Sequence, residues 1–288
     1  MVLAIMYLIS WKKKNISVKM LVKAVIAQFL IAVILVKVPA GRYVVSKVSD
    51  AVTSVINCGQ DGLSFVFGSL ADSTAAAGSV FAIQVLGNIV FLSALVSFLY
   101  YIGILGFVVK WIGKAVGKLM GTSEVESFVA VANMFLGQTD SPMPVGSIMV
   151  AMVALVAAVN KLLGVCGISL QQVFSYVFAP FGFFLGLDPS EILLEGNLLG
   201  SKLVLNEFVA FQQLGGMISS MDYRTGMIFA ISLCGFANFS SLGICVSGIA
   251  VLCPEKKSTL ARLVFKAMLG GVAASLISAM TVGLVTLC

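Results

Sequence analysis

The chain has 288 residues, of which 60% are hydrophobic and only 10% charged, and its mean hydropathy is +1.09. Soluble domains carry charge on roughly a quarter of their residues, so this composition excludes a soluble protein and indicates a polytopic membrane protein. The absence of histidine excludes Ser/His/Asp hydrolases, Cys/His proteases and most zinc enzymes. Without a base partner, metal set or cofactor motif, we expect no enzymatic activity.

Intervals without charged residues predict five membrane-spanning helices, since about 20 apolar residues cross a bilayer. The intervals cover residues 24–36, 73–109, 141–160, 225–254 and 267–288. The first reaches the required length if its flanking lysines extend to the membrane surface. Residues 162–187 are also uncharged, but glycines and a proline interrupt them. We interpret them as a linker followed by an interfacial helix.

Basic residues cluster in three segments, 12–23, 110–118 and 256–266. The positive-inside rule places all three clusters on the cytoplasmic side. An even number of predicted spans separates each cluster from the next, so the three can share one side. A sparser trio of basic residues within 37–47 then lies outside, against the rule, and residue 288 is predicted to lie outside as well.

Two further segments predict helices that enter the bilayer without crossing it. In the first, residues 121–145, Thr122 or Ser123 is a candidate N-cap, and Glu126 is placed to complete a capping box. The helix that follows is stopped by Gly137 and two prolines. Its roughly 14 residues extend only about 21 Å, which is too short to cross.

The second such segment covers residues 186–216. Asp188 or Ser190 can cap its helix, which leads to Asn206 and Glu207. Both segments thus place a carboxylate at the far end of a capped, half-length helix. A third polar break lies inside the predicted span 225–254.

These patterns predict an all-α polytopic membrane protein built from inverted repeats. Residues 1–78 form an N-terminal transmembrane scaffold, residues 79–145 a first repeat and residues 146–288 a second repeat that runs in the opposite direction. Inverted repeats with discontinuous helices typically place a transporter's substrate and ion sites near the midplane. For either tip alone, a turn at the lipid surface is the alternative interpretation.

The polar residues at the breaks suit a neutral ligand with hydroxyl or amide groups, because no arginine or histidine accompanies them. They are Gln138, Thr139, Asp140, Asn206, Glu207, Asn238 and Ser241, with Phe236 and Phe239 beside them. A sodium ion could bind Asn133, the carbonyl of Leu136 or Gly137, and Thr139 or Asp140, at the negative end of a half-length helix.

Three motifs, GQTDSPMPV at 137–145, NEFVAF at 206–211 and CGFANFSS at 234–241, resemble the concentrative nucleoside transporters, the bacterial NupC-type sodium or proton symporters. The resemblance implies two re-entrant helical hairpins, a discontinuous transmembrane helix and a homotrimer in the bacterial inner membrane. It also implies nucleoside import coupled to sodium, with no other cofactor and no nucleic-acid partner.

The resemblance also implies roles for individual residues. It assigns seven side chains to the nucleoside, namely Gln138, Thr139, Asp140 and Phe236 around the base and Glu207, Asn238 and Ser241 at the ribose hydroxyls. It assigns Asn133 and the carbonyl of Leu136 to sodium. The presence of Asn133 favours sodium over protons as the coupling ion, with proton coupling as the alternative.

The chain departs from the family in two respects. The family usually has glutamate at the position of Asp140. It also carries about a hundred further residues, which this chain lacks after Val145, between the first hairpin tip and the second repeat. Two alternatives therefore stand beside the symporter: an internally deleted protein that inserts without transporting, and a membrane protein that binds nucleosides without alternating access.

Overall fold

The computed structural model describes residues 2–10, 13–71, 81–135 and 154–287, and every regular element in these ranges is helical. The thirteen α-helices described are α1 Val2–Ile9, α2 Val18–Val36, α3 Pro39–Phe67, α4 Phe81–Tyr101, α5 Ile104–Met120, α6 Glu124–Phe135, α7 Ala154–Gly164, α8 Leu170–Phe184, α9 Pro189–Val204, α10 Glu207–Gly215, α11 Tyr223–Leu233, α12 Phe239–Leu252 and α13 Lys257–Leu287. Short 3₁₀ turns lie at Lys13–Asn15, Gly68–Leu70, Ile218–Ser220 and Pro254–Lys256.

Two helical segments among the described residues are long and apolar enough to cross a membrane, Val18–Val36 and Pro254–Leu287. The first contains the predicted span 24–36, and the second contains residues 267–287 of the last predicted span but begins earlier. The predicted span 73–109 is instead divided between α4 and α5, and the axes of Val90–Tyr101, the later part of α4, and of α5 differ by 79°. The bend occurs where Gly103 adopts φ +83, a conformation that only glycine adopts readily. If the bent pair is one span, the number rises to three.

The chain divides into two compact units. One comprises Met1–Val18, Val25–Val38 and Ile148–Cys288, and its core is formed by apolar residues of α9, α10, α11 and α13. The other comprises Lys19–Ala24 and Pro39–Ser147, with a small core at Leu105, Val109 and Val131. The predicted repeat boundaries at 78 and 145 lie outside the described residues and stay predictions.

The start of α6 confirms the predicted capping box. The Ser123 backbone N–H donates to Glu126 Oε2 over 3.1 Å, and the Glu126 N–H donates to Ser123 Oγ over 3.2 Å. The hydrogen bond from the Ser123 backbone, followed by that of its side chain, lowers the pKa of Glu126 below its ordinary value. Local pattern alone therefore located this helix end.

The uncharged segment after α7 is a linker and a helix, as expected. Gly167, at φ +72, lies in the turn between α7 and α8. A second capping box, between Ser169 and Gln172, starts α8, which continues through Pro180 to Phe184.

Helices α8 and α9 pack closely through two glycines of α9. A Cβ atom built on Gly196 would contact the Ser175 carbonyl oxygen and lie 3.0 Å from the Ser175 Cα atom. A Cβ atom built on Gly200 would collide with the Phe174 side chain. The backbone of α9 can approach α8 only because both positions lack a side chain. This contact fixes the helix that leads to Glu207.

Gly196→Ala should therefore destabilise the protein by about 1–3 kcal/mol, the usual cost of an added methyl group in a filled interface. Thermal unfolding of the purified protein in detergent measures the effect. Gly215→Ala is the matched control, because nothing lies within 4 Å of its added Cβ and alanine is the better helix former. Equal midpoints for the two variants would contradict the close contact.

Candidate functional site

The predicted break inside residues 225–254 is present between α11 and α12. Helix α11 ends at Leu233, and Gly235 adopts φ +109 in the turn that follows. Asn238 then caps α12, since its Oδ1 atom accepts hydrogen bonds from the Ser241 N–H at 2.8 Å and the Ser241 hydroxyl at 2.7 Å. A glycine in the left-handed region and an asparagine cap explain why one apolar stretch forms two helices.

A second break separates α9 from α10. Asn206 caps α10 by accepting a hydrogen bond from the Val209 N–H at 2.9 Å, and Glu207 is the first residue of that helix. The Ser240 hydroxyl donates to the Leu205 carbonyl at 2.9 Å and so joins the two breaks. Two asparagine-capped helix N-termini therefore lie side by side.

Glu207 and Asn238 meet at this junction. The Asn238 Nδ2 atom donates to Glu207 Oε2 over 2.9 Å, across 31 positions of sequence. Asn238 is only 2% exposed, whereas Glu207 is half-buried. The positive ends of α10 and α12 favour a negative charge here. The arrangement holds a carboxylate and an amide together in a fixed orientation.

Two other predicted site residues lie on the same break. Ser241 is buried and is bound to Asn238 through both its N–H and its hydroxyl, so it supports the cap directly. Phe236 is 44% exposed and lies in the turn two residues before Asn238. The structure thus brings Glu207, Asn238 and Ser241 together, with Phe236 in the adjoining turn.

The remaining predicted residues belong to the first hairpin. Leu136, Gln138, Thr139 and Asp140 lie outside the described residues. Asn133 is in α6, and only its backbone is described. Their assignments to the base and to sodium stay predictions.

Sequence reasoning missed Lys202, which is 1% exposed. Its Nζ atom donates to the Ser232 carbonyl at 2.8 Å, the Cys234 carbonyl at 3.2 Å and the Ser275 hydroxyl at 3.1 Å. The two carbonyls lie at the C-terminal, negative end of α11. A lone lysine within a mostly apolar stretch, five positions before Glu207, was the available signal. Lys202 ties α9 to the α11–α12 break and to α13.

Comparison with known proteins identifies the family. Residues 119–283 match the family model described as "Na+ dependent nucleoside transporter C-terminus", and residues 1–70 match that of the corresponding N-terminus. An uncharacterized transporter of Haemophilus influenzae is 30% identical, with 98% of this chain and 95% of that protein covered. The nucleoside permease NupC of Helicobacter pylori is 26% identical, with coverages of 98% and 96%.

A solved structure shows the same fold. CNTnw in an inward-facing substrate-bound state is 26% identical and superposes with a TM-score of 0.90 over 100% of this chain and 96% of that one. This fold has inverted repeats and re-entrant hairpins. The relatives that establish the family are transporters and permeases, not enzymes.

The chain is shorter than these relatives. Its alignment with the Haemophilus protein extends over 395 positions, whereas the chain has 288 residues and the relatives about 400. The difference, about a hundred residues, agrees with the predicted internal deletion. Its placement after Val145 stays a prediction. The matched models, the relatives and the fold establish that this chain is a member of the concentrative, Na⁺-dependent nucleoside transporter family.

Proposed function

We propose that the chain is a sodium-coupled symporter that imports nucleosides across the bacterial inner membrane. The observation that carries this proposal is the Glu207–Asn238 pair at the junction of two helix N-termini. Breaks of this kind at membrane depth are tolerated where protein or a water-filled cavity receives the polar groups. The names of the matched family models support sodium as the coupling ion.

The pair suits the hydroxyl groups of a ribose. An ionised carboxylate has acceptor sites beyond the one that Asn238 uses, and the Asn238 amide carries a second hydrogen. An acceptor and a donor held side by side complement a hydroxyl group, which both donates and accepts. Phe236 offers an apolar face for the base, and Gln138, Thr139 and Asp140 complete the base contacts in this proposal.

In the same proposal, sodium is the co-transported substrate and binds at the C-terminal end of α6. The last carbonyls of a helix lack hydrogen-bond partners within it and carry partial negative charge. Asn133 and the Leu136 carbonyl supply hard oxygen ligands there. The assembly is a homotrimer.

One observation favours a second candidate function. The missing length of about a hundred residues, in its predicted place after Val145, would include part of the cavity wall that the family resemblance implies. A chain that retains Glu207 and Asn238 without that wall would bind nucleosides without moving them across the membrane. This nucleoside-binding protein is the alternative to the symporter.

Uptake into vesicles separates the two functions. Purified protein in proteoliposomes should accumulate radiolabelled uridine when an inward sodium gradient is imposed, and equimolar choline should abolish the accumulation. Uptake that follows a proton gradient in the absence of sodium would replace sodium with protons as the coupling ion. No uptake above empty vesicles, together with measurable uridine binding in detergent, would overturn the symporter in favour of the binding protein.

A further inference from the structure

Glu195, in the middle of α9, is a carboxylate that the proposed nucleoside site does not use. It is 0% exposed. Neither of its two carboxyl oxygens makes a hydrogen bond with any of the described residues. An ionised carboxylate in such a position loses its hydration and gains no hydrogen bond in its place. A neutral carboxylic acid avoids most of that penalty.

Lys202 cannot supply the missing hydrogen bond while it keeps its observed contacts. It lies seven residues after Glu195, about two helical turns along the same face of α9. An ammonium group has three hydrogens, and the observed contacts to Ser232, Cys234 and Ser275 use three. All three hydrogens of the Lys202 ammonium group are therefore used in hydrogen bonds to neutral oxygens. None is left for an ion pair with Glu195.

Ser232 of α11 faces the Glu195 carboxyl, but its single hydroxyl hydrogen points elsewhere. It donates that hydrogen to the Phe229 carbonyl at 2.8 Å. The Ser232 oxygen then presents lone pairs, which repel a carboxylate and accept from a carboxylic acid. The hydrogen that would complete this contact is one carried by Glu195 itself.

Few other titratable groups face Glu195. On α9 itself, Glu191 lies four residues before Glu195 and Lys202 seven residues after it. The charge of Lys202 acts on Glu195, and Cys234 and Glu207 lie near Lys202. Helix α8 contributes only Tyr176, which is 69% exposed. The part of α13 around Ser275 contains no charged residue. The charged groups around Glu195 are therefore Glu191 and Lys202, with Glu207 beside Lys202.

We propose that Glu195 is a proton-binding site, at which the carboxyl group is neutral in the described conformation while Lys202 remains charged, with Ser232 Oγ facing it as the acceptor available to its hydrogen. The ligand is a proton taken directly from water, and no other bond is made or broken. The site is separate from the Glu207–Asn238 pair, and its occupancy does not require the chain to transport nucleosides.

Infrared difference spectroscopy of the lipid-reconstituted protein tests this assignment. The wild-type spectrum minus that of Glu195→Gln should contain a carboxylic-acid C=O band at neutral pH, and the band should shift in D₂O. Glu191→Gln is the matched control, since Glu191 lies on the same helix and accepts a hydrogen bond from Thr225. That variant should keep the band.

A second variant keeps the test decisive if Glu195→Gln does not fold. Ser232→Ala removes the acceptor for the proton and should shift the same band to higher frequency.

A wild-type spectrum without a band sensitive to either substitution would overturn the proposal. Loss of the band on replacing choline with sodium would also overturn it, because an alkali cation would then be the ligand of Glu195. These measurements do not depend on uridine uptake. The proton-site proposal can therefore be rejected while the symporter proposal is retained, and the symporter proposal can be rejected while the proton site is retained.

Discussion

Replacing Glu207 by glutamine should weaken uridine binding roughly ten- to a hundredfold, because a hydrogen bond to a charged group contributes about 1.5–3 kcal/mol. Glutamine has nearly the same shape, and its carbonyl oxygen can still accept from Asn238 Nδ2. The loss of uridine affinity therefore measures the contribution of the negative charge of Glu207 and of the acceptor sites that its carboxylate offers to the ribose. Isothermal titration of the detergent-purified protein with uridine measures it.

Two further variants make this result specific. Glu191→Gln removes the same charge from α9, away from the α9–α10 and α11–α12 breaks, and should leave uridine affinity unchanged. Asn238→Ala should lose affinity as well, and the double variant Glu207→Gln/Asn238→Ala should lose less than the two separate losses combined, because the residues are in contact. Wild-type affinity in Glu207→Gln would exclude Glu207 as a nucleoside ligand.

Replacing Lys202 by methionine should lower the free energy of unfolding by about 3 kcal/mol. The substitution preserves most of the volume but leaves acceptors of buried Ser232 and Ser275, and of exposed Cys234, without their donor. Each such acceptor costs about 1–3 kcal/mol when it is left unsatisfied, less what relaxation recovers. We also expect weaker uridine binding, because Lys202 holds the turn that carries Asn238. Unfolding in detergent, followed by tryptophan fluorescence, measures the stability.

Lys257→Met provides the matched control, since Lys257 is exposed at the start of α13. Lys202→Arg extends the test: the planar guanidinium cannot direct its hydrogens as the ammonium does, so this variant should also be less stable than the wild type. If Lys202→Met unfolds at the same midpoint as Lys257→Met, the three contacts do not stabilise the protein.

Features that depend on neighbouring residues were predictable from the sequence. The Ser123–Glu126 capping box and the break in residues 225–254 follow from short patterns of hydrogen-bonding side chains and glycine. The motifs around Asn206 and Asn238 were also sufficient to recognise the family. By contrast, the predicted span 73–109 is divided at Gly103, because one glycine inside an apolar stretch does not by itself show whether the helix bends.

Contacts between distant residues could not be predicted in this way. The resemblance assigned both Glu207 and Asn238 to the ribose, but only packing of α9 against α11 and α13 brings the two side chains to 2.9 Å. Lys202 was missed because two of its three partners are backbone carbonyls, which every residue possesses. The sequence by itself determined the membrane class, the capped start of α6, the break in residues 225–254 and the family, since these depend on hydropathy and local hydrogen bonding. The tertiary structure decided which buried polar groups meet, because those contacts depend on how separate helices pack.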